Sequence, residues 1–131
     1  MNSTTLPKTK LIVIDDEEGV LNALRLMLSA FGFEVHPYSK PHEGIEAIAT
    51  VQPDWIISDL RMPEIDGFAV LEYRNEHHSD IPFMLISGHA TGREIEKAKA
   101  LGAQAVLQKP FDPQQLLEIV RAHKDSNAAQ G

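Results

Sequence analysis

Trp55-Ile56-Ile57-Ser58-Asp59-Leu60-Arg61-Met62-Pro63-Glu64-Ile65-Asp66-Gly67 is the stretch whose interpretation decides the fold. A short apolar run of strand composition ends on a carboxylate, and a loop marked by Pro and Gly follows. Asp59 is therefore expected at the carboxyl end of a buried strand, the edge where open α/β sheets bind their ligands.

Working outward, the same grammar recurs. Leu11-Ile12-Val13-Ile14 is a continuous, β-branched run that stops at Asp15-Asp16-Glu17-Glu18, which predicts a strand buried on both faces. Val20, Leu21, Leu24, Met27, Leu28 and Phe31 then follow at helical spacing, with Gly32 as a C-terminal cap. Phe33-Glu34-Val35-His36 alternates apolar and polar, as an edge strand would. Ser39 is expected to cap a helix carrying Pro41 in its first turn, with Ile45, Ile48 and Ala49 facing inward.

Beyond Asp59, Phe68 and Leu71 mark the inner face of a helix beginning near Gly67. Pro82-Phe83-Met84-Leu85-Ile86 is a fourth strand closed by Ser87-Gly88, and Ile95, Ala98 and Leu101 place a helix after it that ends at Gly102. Ala105-Val106-Leu107 is a fifth strand closed by Lys109-Pro110. Asp112-Pro113-Gln114-Gln115 then reads as a helix start with a carboxylate cap. Five strand-helix pairs in alternation predict a flavodoxin-like α/β sandwich, a parallel sheet of order 2-1-3-4-5 with helices on both faces.

Composition narrows the function classes. The 131 residues are the size of one domain, 43% hydrophobic and 24% charged, as in ordinary globular proteins. Cysteine is absent, which excludes a disulfide framework and a thiol nucleophile and is compatible with the cytoplasm. The net charge of -7 repels polyphosphate backbones, so protein partners or a cation are expected rather than direct nucleic-acid contact. No run approaches the ~20 apolar residues of a membrane span. Residues 1–8 are expected to be a flexible lead-in, 9–123 the domain, and 124–131 a flexible tail or the start of a linker.

Position gives the chemistry. In the order 2-1-3-4-5, Asp15, Asp16, Asp59, Ser87 and Lys109 end neighbouring strands at one edge, beside the point where the winding reverses. Taken singly each has an ordinary explanation: an Asp after a strand is often a helix cap, and a Ser or Lys at a strand end is most often merely solvated. Together they demand more. Carboxylates at about 4 Å repel by on the order of 4 kcal/mol at an effective dielectric of about 20. A hard divalent cation relieves that, and Mg²⁺ leaves coordination positions for phosphoryl oxygens. Lys109 adds a positive charge and Ser87 a donor, so the set suits phosphoryl transfer to Asp59. The six histidines show no metal-ligand spacing, and Gly88-His89-Ala90-Thr91-Gly92 lacks the spacing of a phosphate-binding loop.

Over residues 9–123 the chain closely resembles the receiver domain of two-component response regulators. The matching residues are Asp15-Asp16, Asp59 with Met62-Pro63 and Asp66-Gly67, Ser87-Gly88, and Lys109-Pro110-Phe111. The resemblance implies a signalling switch rather than a turnover enzyme, with Asp59 accepting a phosphoryl group from a sensor histidine kinase or phosphotransfer protein. It implies Mg²⁺ bound by Asp16, Asp59 and the backbone carbonyl of Arg61, with Asp15 holding ligand waters. Ser87 would follow the phosphoryl group and Lys109 would pair with it. The signal would leave through the fourth helix, fifth strand and fifth helix toward an unknown downstream protein or effector domain, a face that also suggests a phosphorylation-dependent homodimer. One position departs: three residues before the lysine the family usually carries an aromatic that swings inward, and this chain has Val106. Arg61 and His89 flank the site and are expected to screen a phosphoaspartate from water. The alternative is an aspartyl phosphatase of the haloacid dehalogenase type, in which the nucleophile follows the first strand and an acid stands two residues later. Here Asp59 follows the third strand and Arg61 holds that place.

Overall fold

A computed structural model of the protein describes residues 8–130, with side chains as far as residue 123. The expected lead-in falls almost wholly outside the described residues. Five strands, β1 (Lys10–Ile14), β2 (Glu34–Tyr38), β3 (Trp55–Asp59), β4 (Phe83–Ser87) and β5 (Ala105–Gln108), alternate with α1 (Glu18–Ala30), α2 (Pro41–Val51), α3 (Gly67–His77), α4 (Gly92–Ala100) and α5 (Pro113–Gln130). All four pairings are parallel and the order is β2-β1-β3-β4-β5, as the strand composition required.

Strand periodicity splits the core into two layers. Leu11, Val13, Trp55, Ile57, Met84 and Ile86 point to one face, where α1 covers them with Leu21, Leu24 and Leu28 and α5 with Leu116 and Val120. Ile12, Ile14, Ile56, Phe83 and Leu85 point to the other, against Ile48 of α2, Phe68, Val70 and Leu71 of α3 and Ala98 of α4. Because helices cover both faces, the central strands need apolar residues at every position rather than at alternate ones. Each fully buried aliphatic side chain stabilises the fold by roughly 1.5–3 kcal/mol.

β2 is the edge strand that its alternation implied, and it is longer than the sequence suggested, running on through Pro37 to Tyr38. Glu34 donates its N–H to Thr9 and Tyr38 accepts from Asp15, so the even-numbered residues face β1 and Pro37 turns its N–H-less nitrogen to the free edge.

Three local expectations change. Lys40, not Ser39, is the N-cap of α2, and no side chain caps it; Pro41 at the first helical position presets the backbone there instead. The inner face of α3 also includes Val70 and Arg74, both buried. The backbone of α5 stays helical to Gln130, beyond residue 123 where the domain was expected to end. Gly32 and Gly102 stand just past α1 and α4 with φ of 97° and 104°, a region that L side chains avoid.

Candidate functional site

Every strand but β2 delivers a polar group to the same edge. Asp15, the first residue after β1, is fully buried; Asp59 closes β3 at 6% exposure and Ser87 closes β4 at 1%. Lys109 follows β5 and reaches back across the edge, its Nζ 2.7 Å from Asp15 Oδ2 and 3.4 Å from Asp59 Oδ1. Asp15 is further held by the Glu17 N–H, which donates to Oδ1 at 3.0 Å, and Asp59 Oδ1 accepts from the Leu60 N–H at 3.0 Å. Carboxylate oxygens of Asp15, Asp16 and Asp59 all lie within 4.8 Å of one another.

The electrostatics of the cluster are unbalanced. Burial pushes the Asp59 carboxyl above its usual range, Lys109 pulls it back, and the neighbouring Asp15 raises it again. Burial alone would lower the Lys109 ammonium, but the hydrogen bond to Asp15 and the charges of Asp15 and Asp59 outweigh it and leave a net rise. Lys109 contacts two of the three clustered carboxylates, Asp15 and Asp59, which leaves the group with excess negative charge. All-oxygen donors with excess negative charge at this spacing fit a hard divalent cation.

The loop after Asp59 explains why its sequence is so specific. The Gly67 N–H donates to the Leu60 carbonyl at 2.8 Å, closing the loop. A Cβ at Gly67 would stand 2.6 Å from the Asp59 carbonyl oxygen and 2.9 Å from Leu60 Cα, so no other residue fits without displacing the strand end. Asp66 caps α3 by accepting from the Ala69 N–H at 2.9 Å. The Arg61 guanidinium does not lie free over the site. Its Nη2 donates to Glu94 Oε1 at 2.7 Å and to the His89 carbonyl at 3.3 Å, across to the start of α4. Ser87 Oγ accepts from the His89 N–H at 3.2 Å, while the His89 side chain is exposed. Val106 is half-buried in the layer beneath α3 and α4.

Two functional details went unnoticed in the sequence. Ser58, fully buried, donates its hydroxyl to the Asp59 carbonyl at 2.9 Å, a bond that nothing in an apolar run signals. Thr91 and Glu94 form a reciprocal capping box at α4, and its Thr-x-x-Glu spacing is legible. Beside the site, Leu60, Met62, Pro63 and Phe68 floor a shallow recess of about 350 Å³ rimmed by Arg61, Asp66 and Glu94.

A family model described as the response regulator receiver domain matches residues 11–121. The chain belongs to that family. The C4-dicarboxylate transport transcriptional regulatory protein DctD of Pseudomonas aeruginosa is 34% identical over 114 residues, 87% of this chain and 25% of that protein. The DNA-binding transcriptional regulator NtrC of Escherichia coli is 31% identical over 108 residues, 82% of this chain and 23% of that protein. Among solved structures, the response regulator receiver domain protein from Clostridium thermocellum superposes with a TM-score of 0.86 at 25% identity, covering 94% of this receiver and 99% of that chain.

The receiver spans between 23% and 56% of the length of the curated relatives compared with it. The expectation of no nucleic-acid partner, drawn from this chain's charge, therefore does not carry over to a whole regulator of the NtrC kind. Among the described residues, no helix is long and apolar enough to cross a membrane.

Proposed function

We propose that this receiver is a phosphorylation-dependent switch in which Asp59 accepts a phosphoryl group from the phosphohistidine of a sensor kinase or phosphotransfer protein. An Asp59 carboxylate oxygen attacks phosphorus; the new P–O bond forms as the P–N bond breaks, and the imidazole nitrogen leaves with the electron pair. The observation that carries this reading is the meeting of Asp15, Asp16 and Asp59 with a single ammonium, Lys109, at the sheet edge. Asp16, Asp59 and the Arg61 backbone carbonyl would hold Mg²⁺, with Asp15 on its waters, and the bound ion would neutralise charge on the phosphoryl oxygens. Lys109 exchanges part of its hold on Asp15 for the phosphoryl group, and Ser87 turns its hydroxyl toward it.

The added charge of about -2 then biases the loops around Asp59 and the α4-β5-α5 face, through which a downstream protein or effector domain is reached. The same face supports a phosphorylation-dependent homodimer; equal sedimentation with and without a phosphoryl mimic would remove that part of the proposal. The protein acts in the cytoplasm as a signalling receiver, and chemistry at Asp59 is self-modification rather than turnover.

Intact mass after exposure to acetyl phosphate and Mg²⁺ tests the assignment. Wild type gains one phosphoryl group and Asp59→Asn gains none; a phosphoryl mass persisting in the variant would place the acceptor elsewhere.

A further inference from the structure

Glu94 Oε1 carries two duties at once. It accepts the Thr91 N–H at 3.0 Å, half of the capping box that starts α4, and it accepts Arg61 Nη2 at 2.7 Å from a loop 33 residues earlier in the chain. The Glu94 N–H in turn donates to Thr91 Oγ1 at 3.1 Å, and the Ile95 N–H to the Thr91 carbonyl at 3.0 Å. The first turn of α4 and the loop that leaves Asp59 are thus fastened to one carboxylate oxygen. A second thread runs alongside: Arg61 Nη2 also holds the His89 carbonyl, and the His89 N–H is bonded to Ser87 Oγ.

Arg61 has capacity to spare. Among the described residues its Nε and Nη1 have no partner, and the side chain is 56% exposed, so it is free to re-aim. It stands two residues from Asp59, where a dianionic phosphoryl group would compete with the single charge of Glu94 for a planar, five-donor cation. Lys109 keeps part of its hold on the fully buried Asp15 even as it turns to the phosphoryl group, which leaves charge there for a second cation to answer.

We propose that Arg61 and Glu94 form a charge clasp that phosphorylation of Asp59 opens, releasing the first turn of α4 from the phosphoacceptor loop. Glu94 is a positioning residue in this scheme: it touches neither the phosphoryl group nor a metal, and acts by holding Arg61 and α4 together. The clasp makes α4 report the charge state of Asp59 through one ion pair, and it rests on the proposed phosphorylation of Asp59.

Amide hydrogen exchange followed by NMR, with and without beryllofluoride and Mg²⁺ as the phosphoryl mimic, tests it. In the wild type the Glu94 and Ile95 amides exchange roughly threefold to fivefold faster with the mimic, the size expected when an exposed ion pair is lost. Glu94→Gln keeps a side chain able to complete the capping box but removes the charge, and Arg61→Gln removes the other pole. Each variant shows the faster exchange without the mimic and little further change with it. The double variant matches the single ones, because both break the same link. Chemical-shift changes at Leu60 and Ser87 without faster exchange at Glu94 and Ile95, or single variants that respond as fully as wild type, would overturn the clasp and leave the phosphoacceptor reading intact. A mimic that shifts neither Leu60 nor Ser87 would overturn that reading and the clasp with it.

Discussion

The two ends of the sheet treat buried polarity in opposite ways. At the amino end, Arg74 lies 5% exposed within α3, with Nε donating to the Ile81 carbonyl at 2.6 Å and Nη1 to Asn75 Oδ1 at 2.7 Å. Asn75 passes the chain on to the Leu101 carbonyl, Gln104 brackets Phe83 through its side chain and backbone, and Asp54 does the same for Lys10. Apart from the Asp54 carboxylate, the acceptors there are neutral carbonyl and amide oxygens, and most of these bonds tie one element to another. At the carboxyl end, three carboxylates face one ammonium. A satisfied network fixes the fold, whereas an unbalanced and more deeply buried one is kept ready for a ligand.

The largest effect is expected where the balanced end is broken. Arg74→Met keeps the apolar stem but leaves the Ile81 carbonyl and the Asn75 amide without their donor. It should lower stability by about 3 kcal/mol in urea unfolding while the phosphorylated fraction of folded protein stays unchanged. A loss below about 0.5 kcal/mol would show that the amino end is no more committed to stability than an ordinary surface.

Gly67→Ala probes the seam between stability and site. The added methyl group must displace the Asp59 carbonyl or Leu60, which should cost about 2 kcal/mol and slow phosphoryl uptake from acetyl phosphate as well. Normal uptake in a destabilised variant would separate the loop's packing from the aim of Asp59.

Asp59→Asn should move stability the other way. The Asp59 carboxyl is raised in the folded protein, first by burial and then by Asp15, so the folded state holds its proton to higher pH than the unfolded chain does. Stability therefore falls as pH climbs from the ordinary carboxylate range through the raised value, and the full penalty stands above it. Removing the charge should raise Tm by a few degrees at pH 7, with the gain fading below the ordinary carboxylate range. Thermal melts at the two pH values check the sign.

Arg61→Ala should have the smallest effect on stability, within about 0.5 kcal/mol, because its ion pair is exposed. Its expected signature is kinetic: a changed lifetime of the phosphoaspartate, measured by loss of the phosphoryl mass with time. An unchanged lifetime would confine Arg61 to its contact with Glu94.

The contrast between the two ends was only half visible in the sequence. Asp15, Asp59, Ser87 and Lys109 stand out because each interrupts an apolar strand run, and strand order alone then brings them together. Arg74 was not expected on the inner face of α3 with Phe68 and Leu71, and the carbonyl and amide that satisfy it lie on a turn and a neighbouring residue that no periodicity connects to it. Ser39 was the plausible cap for α2 because its hydroxyl suits that role. The chain instead places Lys40 there and relies on the fixed φ of Pro41, a backbone preference that needs no side-chain bond. The Arg61–Glu94 pair depends on how the β3-α3 and β4-α4 loops face each other. That relation exists only once β3 and β4 are adjacent in the sheet.

Pro37 at the outer edge of β2 has a consequence for how this molecule meets others. Its ring stands where an incoming strand would look for a donor, and no backbone N–H is there to answer. A sixth strand, from a second copy or a partner peptide, would find a donor at only one of the two outward-facing positions of β2, Val35 and not Pro37. Growth of the sheet into fibres or strand-swapped pairs is disfavoured on that side, and recognition is directed to the helices and the loops around Asp59.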